Sequence, residues 1–306
     1  MDKKFKKICV LKGGDSVERE VSFNSSELCS KALLSCGYNV CEFDFTGDVY
    51  ELVSYLKKKE PCCVFNALHG GSGENGNVQS VLNFMKIPYT HSGVLASSLG
   101  MDKYISQNLF ELNGIRVPKT KLKKWDDFVK NPDFPCPFVI KPLNEGSSAG
   151  VYIIEDAAML CEIDWTYGEK VLVSEYIPGL ELTVGTLDGK PIEVTNITVP
   201  NGFYDYNNKY SIAGGDSFHE IPAKIPESIR KEAMKWAEKA HELIGCRGIS
   251  RSDFRYNNVT NKLFFLELNT QPGMTALSLV PEQAKYKGMS YEQLVEWIVE
   301  RATYDT

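Results

Sequence analysis

GISRSDFRYNNVTNKLFFLELN, residues 248–269, decides how the chain is read. Two runs rich in strand-forming residues, Gly248 to Tyr256 and Leu263 to Asn269, flank the polar Asn257-Asn258-Val259-Thr260-Asn261, a pattern that predicts a β-hairpin. Residues two apart share a face of a pleated strand, so Arg251 stands beside Asp253 and Glu267 beside Asn269. With the turn centred near Thr260, Asp253 faces Glu267 and Arg251 faces Asn269, while Phe264, Leu266 and Leu268 line the opposite, core-side face. Two carboxylates side by side repel unless a cation separates them, and a hard divalent ion taking carboxylate and amide oxygens resolves that repulsion. A solvated sheet face with ordinary charges explains the hairpin equally well. On the hairpin alone, Asp253, Glu267 and Asn269 are therefore candidate metal ligands and no more.

Working outward, Ile229, Ala233, Trp236, Ala240 and Leu243 recur at spacings of four and three within residues 227–244, the core stripe of an amphipathic helix. Residues 95–181 open with a helical pattern and change to strands at Phe138 to Lys141 and Val151 to Ile154, with Pro132, Pro135 and Pro137 marking a loop before them. The first ninety residues alternate strand and helix. Strands fall at Lys7 to Leu11, Tyr38 to Phe45 and Cys62 to Leu68, and helices follow the first and third, the first running from about Ser22 to Ser35 with Gly37 as its stop. The expected fold is α/β, α+β overall: a parallel βαβ domain over residues 1–94, a central domain over 95–181 and a C-terminal domain over 182–306. In an open parallel sheet ligands meet the carboxyl ends of the strands, where Gly13-Gly14 and His69-Gly70-Gly71 fall.

A chain of 306 residues is long enough for two or three domains with a substantial core. Its net charge of −6 argues against nucleic acid as a partner, since duplex binding rests on clustered Lys and Arg. No apolar run approaches bilayer length or forms a signal-peptide core, which predicts a cytoplasmic protein without a membrane partner. Nine cysteines, an odd number with no C-x-x-C pair, fit reduced thiols, and four histidines argue against zinc.

Three further motifs bear on chemistry. Asn144-Glu145-Gly146-Ser147-Ser148-Ala149-Gly150 joins two strand signals just after Lys141; it reads as a flap whose N–H groups close over phosphate oxygens, or as a simple mobile hairpin. No G-x-x-x-x-G-K-S/T occurs, so the chain is not a P-loop protein. Gly71-Ser72-Gly73-Glu74-Asn75-Gly76 matches G-x-G-x-x-G, but no Asp or Glu lies between Asn77 and Met101 to hold a ribose, which removes the dehydrogenase reading. Pro200 to Ile221, with Phe203-Tyr204-Asp205-Tyr206-Asn207-Asn208-Lys209-Tyr210, is a long irregular segment of the kind that forms active-site lids.

Taken in order, Gly13-Gly14 with Ser16 to Ser22, Leu68-His69-Gly70, Met101-Asp102-Lys103, Lys141 with EGSSAG, FYDYNNKY, RSD and ELNTQPGMT, the chain resembles the ATP-grasp carboxylate-amine ligases over nearly its full length, and within them the D-alanine--D-alanine ligase family. The resemblance implies an N-terminal βαβ domain followed by the two-domain ATP-grasp fold, usually as a homodimer. It implies ATP as co-substrate and two D-alanine molecules joined through an acyl phosphate for peptidoglycan precursors. By the same resemblance Lys103, Lys141 and Lys209 reach the phosphates, backbone at Glu175 and Ile177 holds adenine, and Glu181 holds the ribose. Asp253, Glu267 and Asn269 take two Mg2+ ions, with Mn2+ as a substitute. Glu18 anchors the first ammonium with His69 nearby, and Ser278 and Leu279 receive the second carboxylate. Ser147 and Tyr210 link Glu18 to the lid, and Arg251 with the Gly273 N–H holds the oxyanion. Lys209→Ala is expected to impair turnover more than folding. Asn75 and Ser174 depart from the family pattern, where acidic residues are more usual, which bears on second-substrate contacts and nucleotide affinity. Relatives that join D-alanine to D-serine or D-lactate are the alternative, with Tyr210 favouring D-alanine. A nucleotide-binding regulatory module is a further one, which the intact Lys141, Asp253, Glu267 and Asn269 disfavour.

Overall fold

Ile8, Cys9, Val10 and Leu11 form a run without a polar side chain, and a strand of that composition has to be covered on both faces. In the computed structural model, which describes residues 3–198 and 218–305, this run is the central strand of a three-stranded parallel sheet. Strand β1 (Lys7–Gly13) pairs with β2 (Asn39–Phe45) on one side and β3 (Cys63–Asn66) on the other. Helix Arg19–Ser35 covers one face; helices Val49–Lys59 and Asn77–Phe84 cover the other. The helix between β2 and β3 is absent from the sequence expectation, because only Leu52 and Leu56 of its eleven residues are buried. Its start is nonetheless capped: Asp48 accepts from the backbone N–H of Tyr50 and Glu51. The first helix begins at Arg19, three residues ahead of the expected Ser22, and Glu18 before it gives no side-chain cap.

The first face of this sheet is completed from far along the chain. Leu294, Val295, Ile298 and Val299 of helix Tyr291–Glu300 pack in one cluster with Phe5, Ile8, Val10 and Leu33.

A second, antiparallel sheet of four strands follows: β4 (Thr120–Lys124), β5 (Phe138–Lys141), β6 (Tyr152–Ile154) and β7 (Lys170–Glu175), in the order β4-β7-β5-β6. Phe128, Phe134, Phe138 and Leu160 fill its core. The third sheet, also antiparallel, comprises β8 (Leu180–Leu187), β9 (Lys190–Thr198), β10 (Phe218–Glu220), β11 (Ile249–Asn257) and β12 (Lys262–Asn269), in the order β10-β9-β8-β11-β12. Helix Glu227–Leu243 lays Ile229, Ala233, Trp236 and Ala240 against Val184, Val194, Phe254 and Phe265, as its spacing predicts. Helix Lys103–Leu112 joins the same core, with the Phe110 ring 4.8 Å from that of Phe265. No helix among the described residues is long and apolar enough to cross a membrane.

The β11–β12 hairpin keeps the expected register at its open end, where Arg251 pairs with Asn269 and Asp253 with Glu267. It departs one step later. The register shifts between Asp253 and Phe254, which pairs with Phe265, so Leu266 is an extra residue on β12. Such a bulge turns consecutive residues to one side. As a result Leu263, Phe265 and Leu268 enter the core, whereas the expected core residues Phe264 and Leu266 stay partly exposed. Leu266 instead lines the cleft beside Glu267.

Candidate active site

The hairpin presents its charged face where the second and third sheets meet. Arg251 donates to Asp253 through Nε (2.9 Å to Oδ1) and Nη2 (2.7 Å to Oδ2), and Thr183 on the neighbouring strand adds a 2.6 Å hydroxyl bond to Oδ1. Glu267 lies 3.8 Å from the Lys103 ammonium. Among the described residues no three His, Cys, Asp or Glu side chains converge on one point. A cation held here would therefore take the two carboxylates and the Asn269 amide oxygen and complete its shell with oxygens from phosphate or water, the ligand mix magnesium favours. The residues present fit such an ion.

Across from the hairpin, Lys141 at the end of β5 and Lys103 at the start of its helix bring two ammonium groups to the same wall. Desolvation pushes Lys141 down to about 8; Glu267 pulls it back up, and Lys103 adds to the fall. Lys103, only 8% exposed, donates to the Glu145 carbonyl at 2.6 Å and so ties the flap to the third sheet's helix. These residues line a cleft of about 310 Å³, together with Glu175, Ile177, Glu181 and Asp253. Arg255 braces the far end, donating to the Ile177 carbonyl (3.1 Å) and the Gly179 carbonyl (2.9 Å) and pairing with Glu181 at 3.4 Å.

Glu18 lies beyond the flap, in the wall of an adjoining space rather than of this cleft. Ser147 at the flap tip donates to its Oε1, and Ser147 and Ser148 both hold left-handed backbone (φ +50° and +60°), an uncommon conformation for residues with side chains. Two glycines make room for the carboxylate. A Cβ at Gly146 or at Gly70 would stand 2.6 Å from Glu18 Oε2, inside contact distance, so at these two positions the backbone can approach Glu18 only without a side chain. Behind Glu18, Ser16 donates to the His69 carbonyl and accepts from the Glu18 N–H. His69 is buried; its Nε2 is 2.9 Å from Ser25 Oγ and its Nδ1 3.5 Å from Glu74 Oε1.

Glu18, Glu74, Ser147, Arg251, Gly273 and Ser278 are among the residues that line a second cavity, of about 70 Å³. Leu279 lines it too. Lys103, Glu145, Gly146 and Glu267 belong to the walls of both cavities, so the two spaces adjoin. Each candidate residue among those described thus falls on or directly behind one continuous site. Lys209 and Tyr210 lie outside the described residues. The sequence reading passed over Glu74, Thr183 and Gln271. Glu74 had a signal in the glycine-rich GSGENG beside a strand end and Gln271 one in its place within ELNTQPGMT, while Thr183 acts through a contact distant in sequence.

Chemically, the arrangement offers a cleft edged by ammonium groups, an oxygen-ligand set for a hard cation, and a small polar cavity lined by Glu18, Arg251, Gly273 and Ser278. Residues 109–300 match the family model for the D-ala D-ala ligase C-terminus. The D-alanine--D-alanine ligase of Paramagnetospirillum magneticum is 46% identical over 98% of this chain and 99% of its own. That of Caulobacter vibrioides is 46% identical over 96% and 92%. Among solved structures, D-alanine--D-alanine ligase from Bacillus anthracis complexed with ATP superposes with a TM-score of 0.81 at 28% identity, covering 97% of each chain. The VanG D-Ala:D-Ser ligase from Enterococcus faecalis superposes at 0.77 with 26% identity, covering 97% of this chain and 99% of that one.

Proposed function

The chain belongs to the D-alanine--D-alanine ligase family, and on that premise we propose that it joins two D-alanine molecules into D-alanyl-D-alanine, converting ATP to ADP and phosphate. The observation that carries this is the shared wall: a cleft of about 310 Å³ meets a cavity of about 70 Å³ at Lys103, Glu145, Gly146 and Glu267. A phosphoryl donor in the first can then reach a carboxylate in the second.

In this reading Glu18 pairs with the ammonium of the first D-alanine, with His69 behind it, and the carboxylate is directed at the γ-phosphate. Lys103, Lys141 and the lid's Lys209 offset the charge gathering on the transferred group. Asp253, Glu267 and Asn269 would hold two Mg2+ ions, or Mn2+, which would supply charge neutralisation at the phosphates. Adenine rests against backbone at Glu175 and Ile177, and the ribose against Glu181. The acyl phosphate formed is attacked by the amine of the second D-alanine, whose carboxylate sits at Ser278 and Leu279. Arg251 and the Gly273 N–H take the oxyanion, and phosphate leaves. Ser147 bridges Glu18 to the flap, and Tyr210 to the lid that excludes water from a hydrolysable intermediate. We assign three domains, 1–94, 95–181 and 182–306, with helix Tyr291–Glu300 lent to the first and helix Lys103–Leu112 to the third. A cytoplasmic homodimer completes the proposal.

D-alanine as second substrate is favoured over D-serine or D-lactate, because the full-length relatives at 42–46% identity bear the D-alanine--D-alanine name. Phosphate release from ATP, measured with D-alanine, L-alanine, D-serine and D-lactate separately and paired, tests the reading. Release that does not depend on D-alanine would overturn it.

A further inference from the structure

Gln271 is 1% exposed and lies two residues beyond Asn269, yet both ends of its side-chain amide are engaged by the first sheet. Its Oε1 accepts from Asn66 Nδ2 at 2.9 Å, and its Nε2 donates to the Leu68 carbonyl. Its backbone N–H donates to Asn269 Oδ1 at 2.7 Å. Asn66, the last residue of β3, passes the brace onward: it donates to the Gly73 carbonyl at 2.9 Å and accepts from the Leu68 N–H at 3.2 Å. Gln79 donates to the same Gly73 carbonyl at 2.7 Å.

The segment held in this way, residues 68–73, carries His69, backs onto Glu18 at Gly70 and leads into Glu74. A buried primary amide is tolerated only when donor and acceptor are both matched. No other side chain of this length offers an acceptor to Asn66 and a donor to Leu68 together. The bond from its N–H also takes one lone pair of Asn269 Oδ1, which sets the plane of that amide and leaves the other lone pair for a cation.

We propose that Gln271 is a positioning residue coupling the cation-binding end of β12 to the first-amino-acid pocket, so that metal binding and first-substrate binding are felt at one another's sites. This rests on the ligase reading above. Coupling of this kind is reciprocal in binding affinity.

The test compares wild type with Gln271→Met, which keeps the length and loses both side-chain bonds. The expected result is a roughly 5- to 30-fold rise in the KM for the first D-alanine, the size expected for two lost buried bonds, with a much smaller change in kcat. Mn2+ binding in the presence of ADP, followed by electron paramagnetic resonance, should weaken severalfold in the same variant. A lower Tm with unchanged KM and unchanged Mn2+ affinity would show a brace and nothing more, and would overturn the proposal. The unmodified protein provides a second measurement that needs no variant to fold. Mn2+ with ADP, in the absence of D-alanine, should slow amide hydrogen exchange across residues 67–74, and unchanged exchange there would also overturn the coupling. If wild type released no phosphate with D-alanine, the ligase reading would fail, while the Mn2+ and exchange measurements would still decide the coupling.

Discussion

His91 offers a sharp test of how burial governs stability. It is 4% exposed, takes left-handed backbone (φ +69°), and among the described residues neither ring nitrogen has a hydrogen-bond partner. The ring meets Phe65 edge-on at 5.7 Å. Burial, with His69 and Arg247 adding to it, pushes its pKa down to about 3. The native state therefore refuses a proton that the unfolded chain accepts near its ordinary value of about 6.5. Stability is unaffected above that value and falls as pH drops through it, levelling only near the native value. Between pH 7.5 and pH 5.0 this one group removes about 2 kcal/mol, a figure set by the unfolded pKa as long as the native one lies well below 5. His91→Gly removes the group and suits the left-handed backbone. Any cavity it leaves acts at both pH values and cancels in the difference. His241, pushed down to about 4 by burial, is common to both proteins and cancels as well. Urea unfolding followed by far-ultraviolet circular dichroism at the two pH values should show a smaller acid loss in the variant, by about 2 kcal/mol. Equal losses in the two proteins would refute the reasoning.

Ser147→Ala removes a charge-assisted bond to Glu18 and should lower kcat/KM for D-alanine roughly 10- to 100-fold in the phosphate-release assay, with Tm unchanged. Glu267→Gln takes one charged oxygen ligand from the hairpin and should cut turnover by about 100-fold or more, with a raised Mn2+ requirement in the same assay. Glu193 is 2% exposed; burial alone would raise its carboxyl, yet Arg230, the Val194 N–H and Lys287 hold it at about 2. Glu193→Ala should cost about 1–3 kcal/mol by thermal unfolding, less than for a fully buried pair because both cations are partly solvated. In wild type this contribution is complete above about 4.5 and disappears as pH falls toward 2.

The open end of the β11–β12 hairpin was legible because strand alternation and a polar turn leave few registers in which Asp253 meets Glu267. The bulge was not, since one additional residue leaves no mark on hydropathy, and it moved Leu266 from the expected core to the cleft. Helix Val49–Lys59 escaped for a related reason: with Leu52 and Leu56 as its buried residues, its stripe is too thin to stand out. Lys141 and Ser147 could be placed on a strand and a flap from local pattern, whereas Glu18 and Lys103 came from the family resemblance, and the convergence of all four depends on three sheets meeting. Gln271 stood within ELNTQPGMT, but its bracing role was not legible because its partners, Asn66 at the end of β3 and Leu68 in the loop after it, are distant in sequence.

Helix Tyr291–Glu300, seated in the core of the first sheet, has a consequence for biosynthesis. The strands the ribosome makes earliest cannot seal one of their faces until Leu294 to Val299 emerge, which at ordinary elongation rates takes on the order of ten to forty seconds after Asn66 is added. For that interval Ile8, Val10 and Phe65 present an open greasy flank to the cell, and nascent chains stalled before the last helix are the ones chaperones should hold longest.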